Sequence, residues 1–367
     1  MTEEAVEVYY EQEVDDDIVV EKVDSEAEDY DAHPAQYEIS TYPADYTLEV
    51  LHGMWKAGDI KIPGLQRRYV WKQKQASRLI ESFLIGLPVP PVYLYVERDT
   101  NRLLVIDGQQ RLKSVFFFFE GVFGENGQDR VFRLTGLNEE SPFLGKKYSE
   151  LDESIQRKLR FMTLRSFVVR QLNPNDDNSI FHIFERLNTG GTLLTNQEIR
   201  NCVYHGDFNR LLHELNANAD WRRILGKTQA DTRQRDIELA LRFFSLVDRS
   251  KYKKPLKDYL SSFMSANRKR TEEQAQDMRV LFEKTCAAVA ENLGDKPFHR
   301  TYSLNAALFD SVMSAFANNL DSIPADVGAR FTALKNDAGF RALMQEGTTD
   351  PEKLGQRFDM AATSLFG

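Results

Sequence analysis

Three clusters carry residue types suited to chemistry on a phosphate, and all lie within the first 200 residues. The most compact is Val105-Ile106-Asp107-Gly108-Gln109-Gln110-Arg111. An apolar run that reads as a strand ends in an acid, a glycine follows, and a helical pattern begins. Free N–H groups at a helix start, with the helix dipole behind them, attract anions. Gly108 would let a phosphate come close to the backbone. Arg111 offers a forked donor, Asp107 a hard oxygen for a divalent ion, and Gln109 or Gln110 an amide able to orient water. The same run also fits an Asp N-cap with a structural glycine turn, and spacing alone leaves both readings open.

The second cluster, Ile62 to Trp71, sets Gln66, Arg67, Arg68, Tyr69 and Trp71 in a loop between a strand and a helix. Guanidinium forks suit phosphate oxygens and aromatic faces suit bases. The alternative is a surface loop whose Tyr69 and Trp71 cover the core. In the third, Gly190-Gly191 separates two helical patterns, and Thr195 with Glu198 fits a capping box. The box explains the turn but not Arg186 or Asn188, which join the phosphate-binding candidates. Lys113 is either a further phosphate contact or a solvated helix residue.

The elements that must position these clusters follow from periodicity. Helices are expected over 46–56, 74–85 (closed by Gly86), 109–119 and 155–161, and strands at 60–62, 92–96, 103–106, 131–134 and 167–171. Strands 92–96 and 103–106 form a plausible hairpin around Asp99-Thr100-Asn101. Phe116 to Phe119 require the 109–119 helix to be buried on most sides. After Asn178 the pattern stays helical, at 180–186, 196–205, 208–215, 237–246, 272–291, 304–318, 327–335 and 351–365. No repeat period is visible. The stripes Ile237, Leu241, Phe244 and Leu304, Leu308, Val312 read as core or partner surface, and Asn267-Arg268-Lys269-Arg270 as a solvated linker end. The expectation is an α+β fold: an acidic disordered tail (1–34), a mixed domain with a small sheet (35–205) and an all-helical domain (206–367).

The net charge of −9 is concentrated in residues 1–31, which hold fourteen acids and one lysine, Lys22. Against chain totals of 56 acidic and 47 basic residues, the remainder carries 42 acids and 46 bases. Such a body suits a local phosphate site rather than general DNA binding. The tail has too little apolar surface to order itself, so deleting it should leave stability unchanged. Cys202 and Cys286 have no metal-like spacing and read as reduced, buried thiols. No run of about 18 apolar residues exists to span a membrane, and no secretory signal pattern opens the chain. Both point to a cytoplasmic protein.

In order, "IPxxQRxYxW" (Ile62 to Trp71), "PxPPxYL" (Pro88 to Leu94), "DGQQR" (Asp107 to Arg111) and "RxNxGGxxLxxxE" (Arg186 to Glu198) resemble the domain at the N-terminus of GmrSD-type modification-dependent restriction enzymes. That resemblance covers roughly residues 45–205. It implies a ParB/sulfiredoxin-like core, nucleotide binding and hydrolysis centred on Asp107 to Arg111, and a role in defence against phage or foreign DNA. Many relatives end in a His-Asn-His nuclease domain. Here only His205, His213 and His299 follow residue 200, without a neighbouring histidine or a ligand-like pair, so cutting by that chemistry is not expected.

The expected function is an NTP-hydrolysing regulator or sensor subunit. Asp107, Gln109, Gln110 and Arg111 would be catalytic, with Mg²⁺ on Asp107. Gln66, Arg67, Arg68, Tyr69, Trp71, Gly108, Lys113, Arg186 and Asn188 would hold the nucleotide. The effector would be a separate polypeptide, or the helical half would self-associate. Two alternatives stay open: a Mg²⁺-dependent nuclease acting on foreign DNA, and a non-enzymatic nucleotide-gated interaction module.

Overall fold

The computed structural model describes residues 18–20, 38–62, 69–98, 100–124, 130–173, 179–187, 194–300 and 302–367. The chain forms two compact units, His33–His205 and a second made of Gly206–Gly367 with Met1–Ala32.

The first unit runs β1 (Ile39–Thr47), α1 (Leu48–Ala57), β2 (Ile60–Lys61), α2 (Gln73–Ile85), β3 (Val92–Val96), β4 (Leu103–Asp107), α3 (Gln109–Glu120), β5 (Val122–Phe123), β6 (Arg130–Val131), α4 (Glu153–Phe161), β7 (Thr163–Gln171), α5 (Ser179–Leu187) and α6 (Asn196–Val203). Five strands form one mixed sheet in the order β1-β7-β3-β4-β2. β3 and β4 pair antiparallel as the expected hairpin, while β3 runs parallel to β7 and β4 parallel to β2. Leu94, Val105 and Val168 join the buried faces of α2 and α3 in one core.

That core explains the phenylalanine run. Phe116 and Phe118 are fully buried, and Phe117 and Phe119 are half-buried against the same cluster. Phe116 stacks on Trp55 at 5.4 Å, and Phe118 meets Phe132 edge-on at 5.2 Å. Helix α2 ends as expected, with Gly86 left-handed at φ 80°. Strand β1 was not anticipated. Its Pro43 argues against a central strand, and β1 indeed lies at the margin of the sheet. The strand expected over 131–134 is only Arg130–Val131, paired with β5, while Phe132 and Leu134 enter the core.

The second unit contains α7 (Asp207–Leu215), α8 (Ala219–Leu225), α9 (Arg235–Val247), α10 (Leu256–Ala266), α11 (Glu272–Leu293), the hairpin β8 (His299–Arg300) and β9 (Ser303–Leu304), then α12 (Ala306–Ala317), α13 (Val327–Asn336), α14 (Ala338–Ala342) and α15 (Pro351–Phe366). Ile237, Leu241, Phe244, Leu308 and Val312 are buried, as their spacing implied. The run Asn267 to Arg270 is not a solvated linker. Asn267 is buried, Arg268 O accepts the Asp207 N–H at 2.9 Å, and Arg270 N donates to Asp207. The acidic segment departs from the expected disorder at three residues: Ile18 is buried and Val20 forms an isolated bridge to Leu304, since Ile18-Val19-Val20 is its apolar stretch. Both cysteines are free and buried. Among the described residues, no helix is long and apolar enough to cross a membrane.

Charge is buried in this helical unit. Arg242 grips Asp310 with both Nε and Nη2, and Asp310 is 2% exposed. Burial opposes the charge on Arg242, but the attraction and hydrogen bond of Asp310 outweigh it and raise the guanidinium above its ordinary value. Removing one partner of such a pair strands a buried charge. Asp310→Ala should therefore lower the unfolding free energy by about 3–5 kcal/mol. Asp45→Ala, which breaks the exposed Asp45–Arg165 pair, should cost about 1 kcal/mol or less. Urea unfolding of the two variants checks the contrast; equal losses would contradict it.

Candidate functional site

Asp107 is the last residue of β4, and Gly108 links it to α3. Antiparallel pairing of β3 with β4 shifts register between Tyr93 and Leu94: Tyr93 faces Asp107 while Leu94 faces Val105. Ile106 is thus the extra residue of a bulge, a device that re-aims the end of a strand. Gly108 then takes φ 99° and serves as N-cap without a capping side chain. Asp107 is therefore not the cap.

Two features demand glycine at position 108. Its left-handed φ disfavours any side chain, and a Cβ there would lie 2.3 Å from Val92 Cγ1. The backbone of Gly108 is buried, so tight packing on β3, rather than an open approach for a phosphate, accounts for the residue.

Asp107 instead pairs with Arg111 one turn along α3, Nη2 to Oδ2 at 2.5 Å, with both side chains part-buried. The Arg111 Nε is buried and has no hydrogen-bond partner among the described residues. The first turn of α3 contains no acidic residue. Its start thus combines a guanidinium with unspent donor capacity and the positive end of a twelve-residue helix.

Gln110 links the first two clusters. Its Oε1 accepts the N–H of Val70 at 3.0 Å and of Trp71 at 3.2 Å. Tyr69 Oη lies 2.7 Å from Ser114 Oγ, and its ring meets Phe117 edge-on. Trp71 rests against the core. Tyr69 and Trp71 therefore cover the core, as one reading of the loop allowed. Gln109 and Lys113 are half-buried on the same helix. Gln66, Arg67, Arg68 and Asn188 lie outside the described residues.

The third cluster comes near through α5, which packs against β4, the strand that delivers Asp107. Arg186 is exposed on the last turn of α5. The capping box is present: Thr195 Oγ1 accepts the Glu198 N–H at 3.2 Å, and Glu198 Oε2 accepts the Thr195 N–H at 2.6 Å. Sequence reasoning missed Tyr93. It stands opposite Asp107 and stacks on Phe167 with ring centres 5.3 Å apart. Its place in Pro90-Pro91-Val92-Tyr93-Leu94 was the available signal.

Among the described residues, no group of three His, Cys, Asp or Glu could hold a metal ion by protein side chains alone. A Mg²⁺ ion that arrives with phosphate oxygens and water needs only one or two carboxylates, and Asp107 meets that lesser demand.

Residues 48–205 match the family model described as GmrSD restriction endonuclease, N-terminal domain. No curated protein matches the chain.

The strand-to-helix junction yields a direct test. Gly108→Ala adds left-handed strain and a clash with Val92, together roughly 2–5 kcal/mol of lost stability. Combining it with Val92→Ala should give a loss smaller than the sum of the two single losses, measured by denaturant unfolding. Simple additivity would show that the Val92 contact is not what excludes a Cβ.

Proposed function

Because residues 48–205 form a GmrSD restriction endonuclease N-terminal domain, we propose that this chain is a nucleotide-binding and NTP-hydrolysing regulator or sensor subunit of a prokaryotic restriction-like defence system. The observation that carries this reading is Arg111. It is part-buried at the positive end of α3, paired with Asp107, and its Nε–H has no protein acceptor among the described residues. An oxyanion is the natural partner for such a donor.

In this reading Arg111 and the first-turn amides of α3 hold phosphate oxygens. Asp107 orients Arg111 and supplies the one carboxylate that a nucleotide-bound Mg²⁺ needs. That ion, when bound, neutralises phosphate charge. Gln110 fixes Val70 and Trp71 to α3, and Gln66, Arg67 and Arg68 bind the nucleotide. Gln109 orients the attacking water. Lys113, Arg186 and Asn188 add polar contacts from α3 and the α5–α6 connection. The effector that acts on DNA is a separate polypeptide, met through the helical unit.

A thermal-shift screen of the four NTPs with Mg²⁺ tests the reading. A ligand at 100 times its Kd stabilises the native state by about 2.7 kcal/mol, which moves the melting point measurably. Arg111→Ala should weaken nucleotide binding roughly 10- to 150-fold, the value of charge-assisted hydrogen bonds of about 1.5–3 kcal/mol, while the chain stays folded. Asp107→Asn should retain binding and lose Mg²⁺-dependent phosphate release. Full NTP affinity and turnover in Arg111→Ala would overturn the placement of the site. Plasmid cleavage with Mg²⁺ and no phosphate release from any NTP would favour a nuclease instead.

A further inference from the structure

Three residues of the acidic segment are held by the helical unit. Ile18 is 2% exposed, and its N–H donates to Asp231 Oδ2 at 2.6 Å. Arg235 Nη1 donates to the Ile18 carbonyl. Leu304 N donates to Val19 O at 2.8 Å, and Val20 bridges to Leu304 in the parallel sense. Ile18 points in while Val19, 57% exposed, points out, the alternation of a strand. The tripeptide is thus added to the open margin of the β8–β9 hairpin, with a charged residue reading each polar group of Ile18.

The receiving surface is organised by the helical unit itself. Asp231 Oδ1 accepts the N–H groups of Arg233 and Arg235, at 2.9 and 3.1 Å. The Asp231 N–H donates to Asp236 Oδ2, the oxygen that also accepts Arg222 and Asn216. Leu304 is fixed by pairing with His299. None of these bonds requires Ile18.

Charge is complementary on the two sides. Asp15, Asp16 and Asp17 precede the tripeptide, and Glu21, Asp24 and Glu26 follow it. On the hairpin, burial and then the cations Lys296, Lys227 and Lys335 hold His299 below its ordinary pKa. Burial and Arg300 likewise lower Lys335. Several positive charges therefore lie about the hairpin that Ile18–Val20 join.

We propose that the β9 margin with Asp231 and Arg235 is a peptide-recognition groove for an acidic strand bearing one buried isoleucine. Its occupant is this chain's own segment around Ile18–Val20, held in cis. The binding mode is strand addition: main-chain hydrogen bonds give affinity and a side-chain pocket gives selectivity. Tethering gives the cis strand an effective concentration in the millimolar range, so a free peptide competes poorly while the strand is seated.

The test uses the full chain and a fluorescent synthetic peptide of residues 12–24. Ile18→Asp in the full chain should empty the groove. This variant should bind the peptide at least tenfold more tightly than the unaltered chain does, and binding should weaken as NaCl rises. A peptide carrying the same Ile18→Asp change should not bind, and adding Asp231→Ala to the chain should remove binding of the normal peptide. Equal affinity of the unaltered chain and the Ile18→Asp chain would overturn the proposal, as would no binding to a folded Ile18→Asp chain. Should that variant fail to fold, amide exchange at Leu304 in the unaltered chain supplies a second measurement. Protection that is lost on Val20→Pro and restored by excess peptide supports the groove; protection indifferent to both contradicts it. Peptide binding only as the chain dimerises would make the occupant a second copy and would likewise overturn occupancy in cis.

Discussion

Gly108 is the constraint on which the candidate site depends. Strand β4 must stop and α3 must start within one residue, and the space beside that residue is already filled by Val92. Only a residue without a Cβ can take the left-handed turn against β3. Once it does, Asp107 and Arg111 fall one helical turn apart and pair, and Gln110 faces the loop it anchors at Val70 and Trp71. Chemistry and packing are therefore not separable at this junction. Moving the glycine would misplace the acid, the guanidinium and the clamp together.

Much of this was legible in the sequence because it is local. The α3 pattern, its phenylalanine run, the β3–β4 hairpin and the Thr195–Glu198 box all involve residues near one another along the chain. Other parts are not local. The Gln110 contacts cross 40 residues, so no spacing rule reveals that this amide oxygen is engaged by backbone N–H groups. The bulge at Ile106 leaves no compositional mark in an apolar run. Strand β1 hides behind Pro43, and α8 is only seven residues long. Tyr93 gains interest only from its register opposite Asp107.

Both units bury polar groups, in different settings. In the first, the core beneath the sheet is aliphatic and aromatic, the Asp107–Arg111 pair is part-buried, and the buried charge lies on α6, where Glu198 and Arg200 are each 1% exposed and Arg200 donates to Gln197. In the second, the interior carries ionic networks: Arg242 with Asp310, and Asp236 with Arg222, Asn216 and the Asp231 backbone. Such networks specify geometry because each member is costly to leave unpaired. Periodicity marks these helices as core-facing but cannot say which acid meets which arginine, since the partners come from different helices.

The strand margins carry a consequence for self-association. An exposed row of backbone donors and acceptors invites another chain to extend the sheet, and this is how many proteins begin to aggregate. One margin of the five-stranded sheet is β1, interrupted by a proline that has no N–H and flanked by the Asp45–Arg165 charges. The other is β2, only two residues long. Both are poor templates. The hairpin in the helical unit is just as short, two residues on each strand, and its β9 margin is further occupied by Ile18–Val20. Unseating those three residues would therefore uncover a template no longer than β2, so each sheet margin of the described residues limits its own growth by brevity, proline or occupancy.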